Sequence, residues 1–147
     1  EMCIRDSHIY GNYLSNKIKT LNVININALD AFDYLSKEVN SYLIDTRSDV
    51  EWKTTGIPDL SSINKEAHLI NWGPVLDQTF FEQYKKFLLN SFNQKDSLFF
   101  ICRSGSRSLM AAKFAIEFGF EHCFNIYDGF DNENNQNWKK NLPVKII

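Results

Sequence analysis

Ten consecutive residues, Phe99-Phe100-Ile101-Cys102-Arg103-Ser104-Gly105-Ser106-Arg107-Ser108, run from an apolar stretch into a cysteine and then into a polar, basic loop. Each part of this segment has a chemical use. The N–H groups of a short loop can converge on one point and form an anion-binding nest. The start of a following helix adds partial positive charge at the same point. Arg103 and Arg107 supply full charge and forked hydrogen-bond donors, while Ser104, Gly105, Ser106 and Ser108 shape the cup. All of these neighbours favour the thiolate of Cys102. The expected chemistry is a nucleophilic sulfur held in an anion-binding cup. Cysteine is also a common inert core residue, but that reading leaves two arginines and a polar loop without a purpose.

Loop length narrows the chemistry. Cys102 and Arg107 enclose four residues, Cys-x-x-x-x-Arg. Cysteine-dependent phosphatases use a loop one residue longer to wrap a phosphoryl group. A tighter cup suits a single sulfur atom carried on the thiolate. Counting to Ser108 restores the longer spacing, but a serine cannot replace an arginine as a phosphate clamp. Two alternatives stay open at this point. One is a cysteine phosphatase or arsenate reductase-like enzyme. The other is a regulatory module that binds a protein partner and carries sulfur only incidentally.

Such a loop must be positioned by a strand before it and a helix after it. The apolar run Leu98 to Cys102 fits a central strand covered on both faces, and Ser108 to Phe118 fits a helix that stops at Gly119. Elsewhere, strands are expected over Asn22 to Ile26, Tyr42 to Asp45, Ala67 to Ile70 and Cys123 to Tyr127. Helices are expected over Ala28 to Val39, with Leu29, Phe32, Leu35 and Val39 at helical spacing behind an Asn27 cap, and over Phe80 to Leu89. Ser48-Asp49-Val50-Glu51 reads as a capping box that opens a brief helix ending near Gly56. A short helix near Trp138 precedes Pro143. The alternation predicts an α/β fold with a mainly parallel five-stranded sheet and helices on both faces. In such sheets the site lies beyond the carboxyl ends of the strands, where both Cys102 and Asp45 fall.

The segment Cys102 to Ser108 resembles the active loop of the rhodanese (sulfurtransferase) family in its single-domain form. Leu43-Ile44-Asp45-Thr46-Arg47 with Glu51-Trp52 is similar to the family's Asp-x-Arg signature, and Gly56-Ile57-Pro58 to its Gly-His-Ile-Pro, without the histidine. Asp128-Gly129-Phe130 followed by Trp138, Leu142 and Pro143 is similar to its C-terminal signature. The resemblance covers residues 22 to 145. It implies a rhodanese-like fold and a two-step sulfur relay. Cys102 takes a sulfur atom from a small anionic donor such as thiosulfate, with Arg103 or Arg107 holding the donor. The N–H groups of the loop stabilise the resulting persulfide. A thiol, cyanide or a protein acceptor then removes the sulfur. The resemblance implies no metal and no organic cofactor, and either a monomer or a homodimer. Asp45 and Arg47 support the site in this reading, either at its rim or as a scaffold in which Arg47 pairs with Glu51 or Asp45. Two stretches depart from the family pattern: the polar and aromatic segment Ile63 to Phe81, and the asparagine-rich stretch 131–137, with Asn132, Asn134, Asn135 and Asn137.

Composition fits a small enzyme. The chain has 147 residues, 44% apolar and 14% aromatic, enough for a real core and against disorder. A net charge of −2 argues against nucleic acid as the main partner. No run is long enough to span a bilayer. Cys3, Cys102 and Cys123 form neither a disulfide framework nor a paired zinc motif, and they suit a reducing, cytoplasmic setting. Cys123 beside His122 reads as core, because adjacent strand residues face opposite ways. The aromatics Trp52, Trp72 and Trp138 read as packing. Residues 1–20 read as an N-terminal extension, flexible or artefactual, and 21–147 as one domain.

Overall fold

The computed structural model describes residues 22–133 and 136–147. The expected N-terminal extension with Cys3, and the loop residues Asn134 and Asn135, lie outside the described residues. The main sheet holds β1 (Ile24–Ile26), β2 (Ser41–Asp45), β4 (His68–Leu69), β5 (Ser97–Ile101) and β6 (His122–Ile126) in the order β1-β6-β5-β2-β4. All four pairings are parallel, with Asp45 opposite Ile101 and Phe100 opposite Asn125. β5 lies at the centre and every one of its residues is buried. Its side chains alternate between two cores. Leu98 and Phe100 join Ile44, Tyr84, Leu88 and the Ala111, Ala112 and Ala115 stripe on one face. Phe99 and Ile101 join Leu43, Ala31, Leu35, Phe130 and Trp138 on the other. The helices are therefore split between the two faces: α3 (Gln78–Ser91) and α4 (Ser106–Glu117) cover one, α1 (Ala28–Lys37) and α5 (Trp138–Asn141) the other.

Several boundaries differ from the sequence expectation, each for a local reason. α1 ends at Lys37, two residues early, and Val39 is exposed. The Lys65 ammonium donates to the carbonyls of Leu35, Glu38 and Ser41 and caps that end. Leu29 is also exposed, because the buried stripe is Ala28, Ala31 and Leu35. α3 starts at Gln78 because the Asp77 side chain accepts from the Phe80 N–H. α4 starts at Ser106 rather than Ser108, which brings Arg107 and Ser108 into its first turn. A second, two-stranded sheet pairs β3 (Ile57–Pro58) antiparallel with β7 (Val144–Lys145), which periodicity had not suggested. It closes the chain end over the turn after α2 (Asp49–Thr55). Trp52, Trp72 and Trp138 are all buried. Trp72, within the unusually aromatic segment, meets Phe80, Phe81 and Tyr84 edge-on, so that segment packs onto α3. Among the described residues no helix is long and apolar enough to cross a membrane.

Candidate active site

The carboxyl ends of β2, β5 and β6 meet at one edge of the sheet, and Cys102 follows directly on β5. The chain then turns over Arg103, Ser104 and Gly105 into α4. Cys102 Sγ accepts the Gly105 N–H at 3.1 Å and the Ser108 N–H at 3.3 Å, and lies 3.3 Å from Ser108 Oγ. The Ser106 and Arg107 N–H groups open the helix and have no intrahelical acceptor. Gly105 has φ +103°, and a Cβ there would lie 2.8 Å from the Tyr127 carbonyl oxygen, so the turn requires glycine. Arg103, Ser104 and Ser106 are exposed, Arg107 is half-buried, and Ser108 is fully buried beside the sulfur. A thiolate or a persulfide sulfur would meet converging N–H donors in this cup.

A polar chain that the sequence reading missed runs under the sulfur. Ser108 Oγ donates to Asn125 Oδ1 at 2.6 Å, and Asn125 Nδ2 donates to Asn25 Oδ1 at 3.2 Å. Asn25 and Asn125 are register partners on adjacent strands. The signal that could have revealed Asn125 is an asparagine inside the otherwise apolar run Cys123 to Ile126.

Each of the two motif arginines pairs with a different carboxylate, and for Arg47 it is Asp45, one of the two partners expected. Arg107 forms a two-pronged ion pair with Glu51, at 2.7 and 2.9 Å. Glu51 also closes the capping box by accepting from the Ser48 N–H and hydroxyl. The pairing of Arg47 with Glu51, one of two options raised by the sequence, is therefore ruled out. Arg47 instead binds Asp45, with Nη2 donating to Oδ2 at 2.7 Å and Nε to Oδ1 at 3.0 Å. It also donates to the Gly56 carbonyl and the Thr55 hydroxyl, and its guanidinium lies 3.8 Å over the Phe130 ring. Asp45 is 0% and Arg47 1% exposed, which makes them a buried scaffold and not an open rim. Arg103 forms no ion pair among the described residues.

The Arg107 guanidinium holds the Glu51 carboxyl down from 4.5 to about 2. The stabilisation from this pair is therefore fully present above the ordinary glutamate value and is lost as pH falls through about 2. An NMR titration following the Glu51 side-chain carbon is expected to show its midpoint near 2, with the pair intact at pH 4. A midpoint near 4.5 would show that the pair does not form in solution.

The C-terminal signature supports the loop from below. The Phe130 N–H donates to the Cys102 carbonyl at 2.8 Å and the Asp131 N–H to the Arg103 carbonyl at 3.2 Å. Trp138 Nε1 donates to the Pro143 carbonyl and the Trp138 N–H to that of Gly129, so the signature folds on itself. In the described part of the asparagine-rich stretch, Asn137 caps α5 and donates to the Asn132 carbonyl. Cys123 is a core residue, as expected. Burial pushes its thiol up to about 12, and it aligns with Leu98, four residues before Cys102 along the sheet. That places it about 13 Å from the loop cysteine along the strand, too far for a disulfide.

These features define a rhodanese-like α/β domain with a cysteine loop at the carboxyl end of its central strand. A family model described as the STR4 middle domain matches residues 24–146, and the chain belongs to that family. The "Uncharacterized protein RP600 homolog" of Rickettsia rickettsii is 39% identical over 127 residues, covering 84% of this chain and 98% of the relative. Among solved structures, Rv0390 from M. tuberculosis superposes with a TM-score of 0.73 at 29% identity, covering 84% of this chain and 98% of that one. A rhodanese-like domain protein from Staphylococcus aureus shares the fold with a TM-score of 0.56 at 19% identity, over 85% of this chain and 99% of that one. Other chains of this fold include sulfurtransferases and one described as a possible tyrosine phosphatase.

Proposed function

We propose that this protein is a sulfurtransferase that moves sulfane sulfur through a persulfide on Cys102. The observation that carries the reading is the Cys102 sulfur at the base of a loop, accepting the Gly105 and Ser108 N–H groups at 3.1 and 3.3 Å. In the first step the Cys102 thiolate attacks the outer sulfur of an anionic donor. With thiosulfate, the S–S bond breaks and sulfite leaves with the bonding pair. The new terminal sulfur is stabilised by the loop N–H groups from Arg103 to Arg107. In the second step a thiol, cyanide or protein acceptor attacks that sulfur and the Cys102 thiolate returns. With cyanide the product is thiocyanate. In this reading Arg103 meets the donor, Arg107 and Ser108 shape the cup, and Asp45 with Arg47 holds the strand end beneath it. Kinetics should be ping-pong.

Intact-protein mass spectrometry tests the reading, before and after exposure to thiosulfate and to inorganic polysulfide. The wild type is expected to gain one sulfur atom that cyanide removes, and Cys102→Ser to gain none. No gain from any donor, with the wild type folded and reduced, would overturn it. A phosphatase reading has less support, because the four-residue loop is short for a phosphoryl group and Glu51 already occupies Arg107. Turnover of p-nitrophenyl phosphate lost in Cys102→Ser would reverse that preference.

A further inference from the structure

We propose that the donor this site accepts is the persulfide of a small zwitterionic thiol, such as an amino acid persulfide, and not a compact dianion such as thiosulfate. The inference rests on the sulfur-transfer reading above and names its donor. Charge at the loop is largely cancelled. Arg107 is neutralised by Glu51 in a two-pronged pair. Arg47 is neutralised by Asp45 in a buried one. Arg103 remains as an exposed guanidinium without an ion-pair partner among the described residues. It lines a cleft of ≈ 230 Å³ together with Glu51 and Asp131. Asp131 is held only at 3.8 Å by Lys139, which is exposed, and is itself partly exposed.

With Glu51 taken up by Arg107, a dianion in this cleft would meet the single charge of Arg103 beside the Asp131 carboxylate. A zwitterion fits better. Its carboxylate can take the fork of Arg103, and its ammonium group can take Asp131. The cleft is smaller than the ~300 Å³ at which sites for drug-sized ligands begin, which suits a small ligand. Cys102, which directly precedes Arg103, is itself buried, so sulfur must arrive on a slender arm, as it does in a perthiol R–S–SH. The step balances simply. The Cys102 thiolate attacks the terminal sulfur, the S–S bond joining that sulfur to R–S breaks, and R–S⁻ leaves with the bonding pair. The proton stays on the sulfur that is transferred, giving Cys102–S–SH, with no net oxidation.

The test is the concentration dependence of sulfur loading on the full chain, read by intact mass, with four donors. These are cysteine persulfide, the persulfide of 3-mercaptopropionate (no ammonium), the persulfide of cysteamine (no carboxylate), and thiosulfate. Loss of either charged group is expected to raise the half-saturating concentration about tenfold, the scale of one charge-assisted hydrogen bond. Arg103→Met should erase only the carboxylate advantage, and Asp131→Asn only the ammonium advantage. Comparing donors within one variant makes both results independent of small changes in stability. Glu51→Gln keeps a capping box but frees Arg107, and should speed thiosulfate loading about tenfold, by the same reckoning. Equal half-saturation for the three persulfides, or thiosulfate loading the wild type as readily as cysteine persulfide, would overturn the proposal. A chain that takes sulfur from none of the four donors loses the sulfur-transfer reading itself.

Discussion

Replacing Gly129 by alanine is expected to destabilise the domain by roughly 2–5 kcal/mol and to abolish sulfur loading of Cys102. Gly129 has φ +72°, a conformation that costs a side-chain-bearing residue strain by itself. The larger penalty is steric. A Cβ at this position would collide with the Arg103 carbonyl oxygen, lie 2.6 Å from the Arg103 carbonyl carbon and lie 2.9 Å from Ser104 Cα. All three are backbone atoms of the cysteine loop and cannot swing aside as a flexible side chain would. The loop is also tied to this turn by the Phe130 N–H on the Cys102 carbonyl and the Asp131 N–H on the Arg103 carbonyl. Relief of the collision must therefore move Arg103 and Ser104 away from the geometry that aims Gly105 N–H at the sulfur. Urea denaturation would measure the first effect and intact mass after exposure to a sulfur donor the second. A variant with unchanged midpoint and normal loading would show that the turn and the loop are not in contact.

Arg47→Ala should cost about 3–5 kcal/mol, because it strands the Asp45 carboxylate in the interior without its cation. The wild-type pair is fully buried, and the guanidinium contacts two carboxylate oxygens, the Gly56 carbonyl and the Thr55 hydroxyl in addition to the Phe130 ring. Truncation removes all of these at once. It leaves Asp45 with the Arg47 N–H as its remaining partner among these contacts. Domains of this size have a total stability of about 5–15 kcal/mol, so the loss is a large share of it. The double variant Arg47→Met with Asp45→Leu removes the stranded charge and should recover much of the loss, since an apolar pair of similar volume often replaces a buried ion pair well. Chemical denaturation of the two variants checks this directly. An Arg47→Ala loss below about 1 kcal/mol, the scale of an exposed pair, would show that the pair is solvated.

The fold was largely legible in the chain because its periodicities are strong. The uninterrupted apolar run of β5 announces a strand buried on both faces, and the Ala111, Ala112, Ala115 stripe announces a helix packed close to it. Boundaries were less legible where a distant residue decided them. Lys65 ends α1 from almost thirty positions away in sequence, and the short β3–β7 pair depends on a chain end folding back over Ile57 and Pro58. Neither leaves a local pattern.

The candidate site divides along the same line. The cysteine, the length and polarity of its loop, and the strand and helix on either side can all be read along the chain, because these follow from residue type and short-range spacing. The capping box at Ser48 and Glu51 was local in the same way. Which charges are available depends on contacts made across the folded domain. Glu51 lies 56 residues from Arg107 and neutralises it, while Arg103, four residues from Arg107, has no ion-pair partner among the described residues. The tertiary fold also decided that Gly129 and Phe130 lie under the loop, and that Asn125 and Asn25 continue a hydrogen-bonded chain from Ser108 across two strands. The physical reason is that a charge or a polar group acts over a few ångströms of space, and parallel strands bring together residues that the chain keeps far apart.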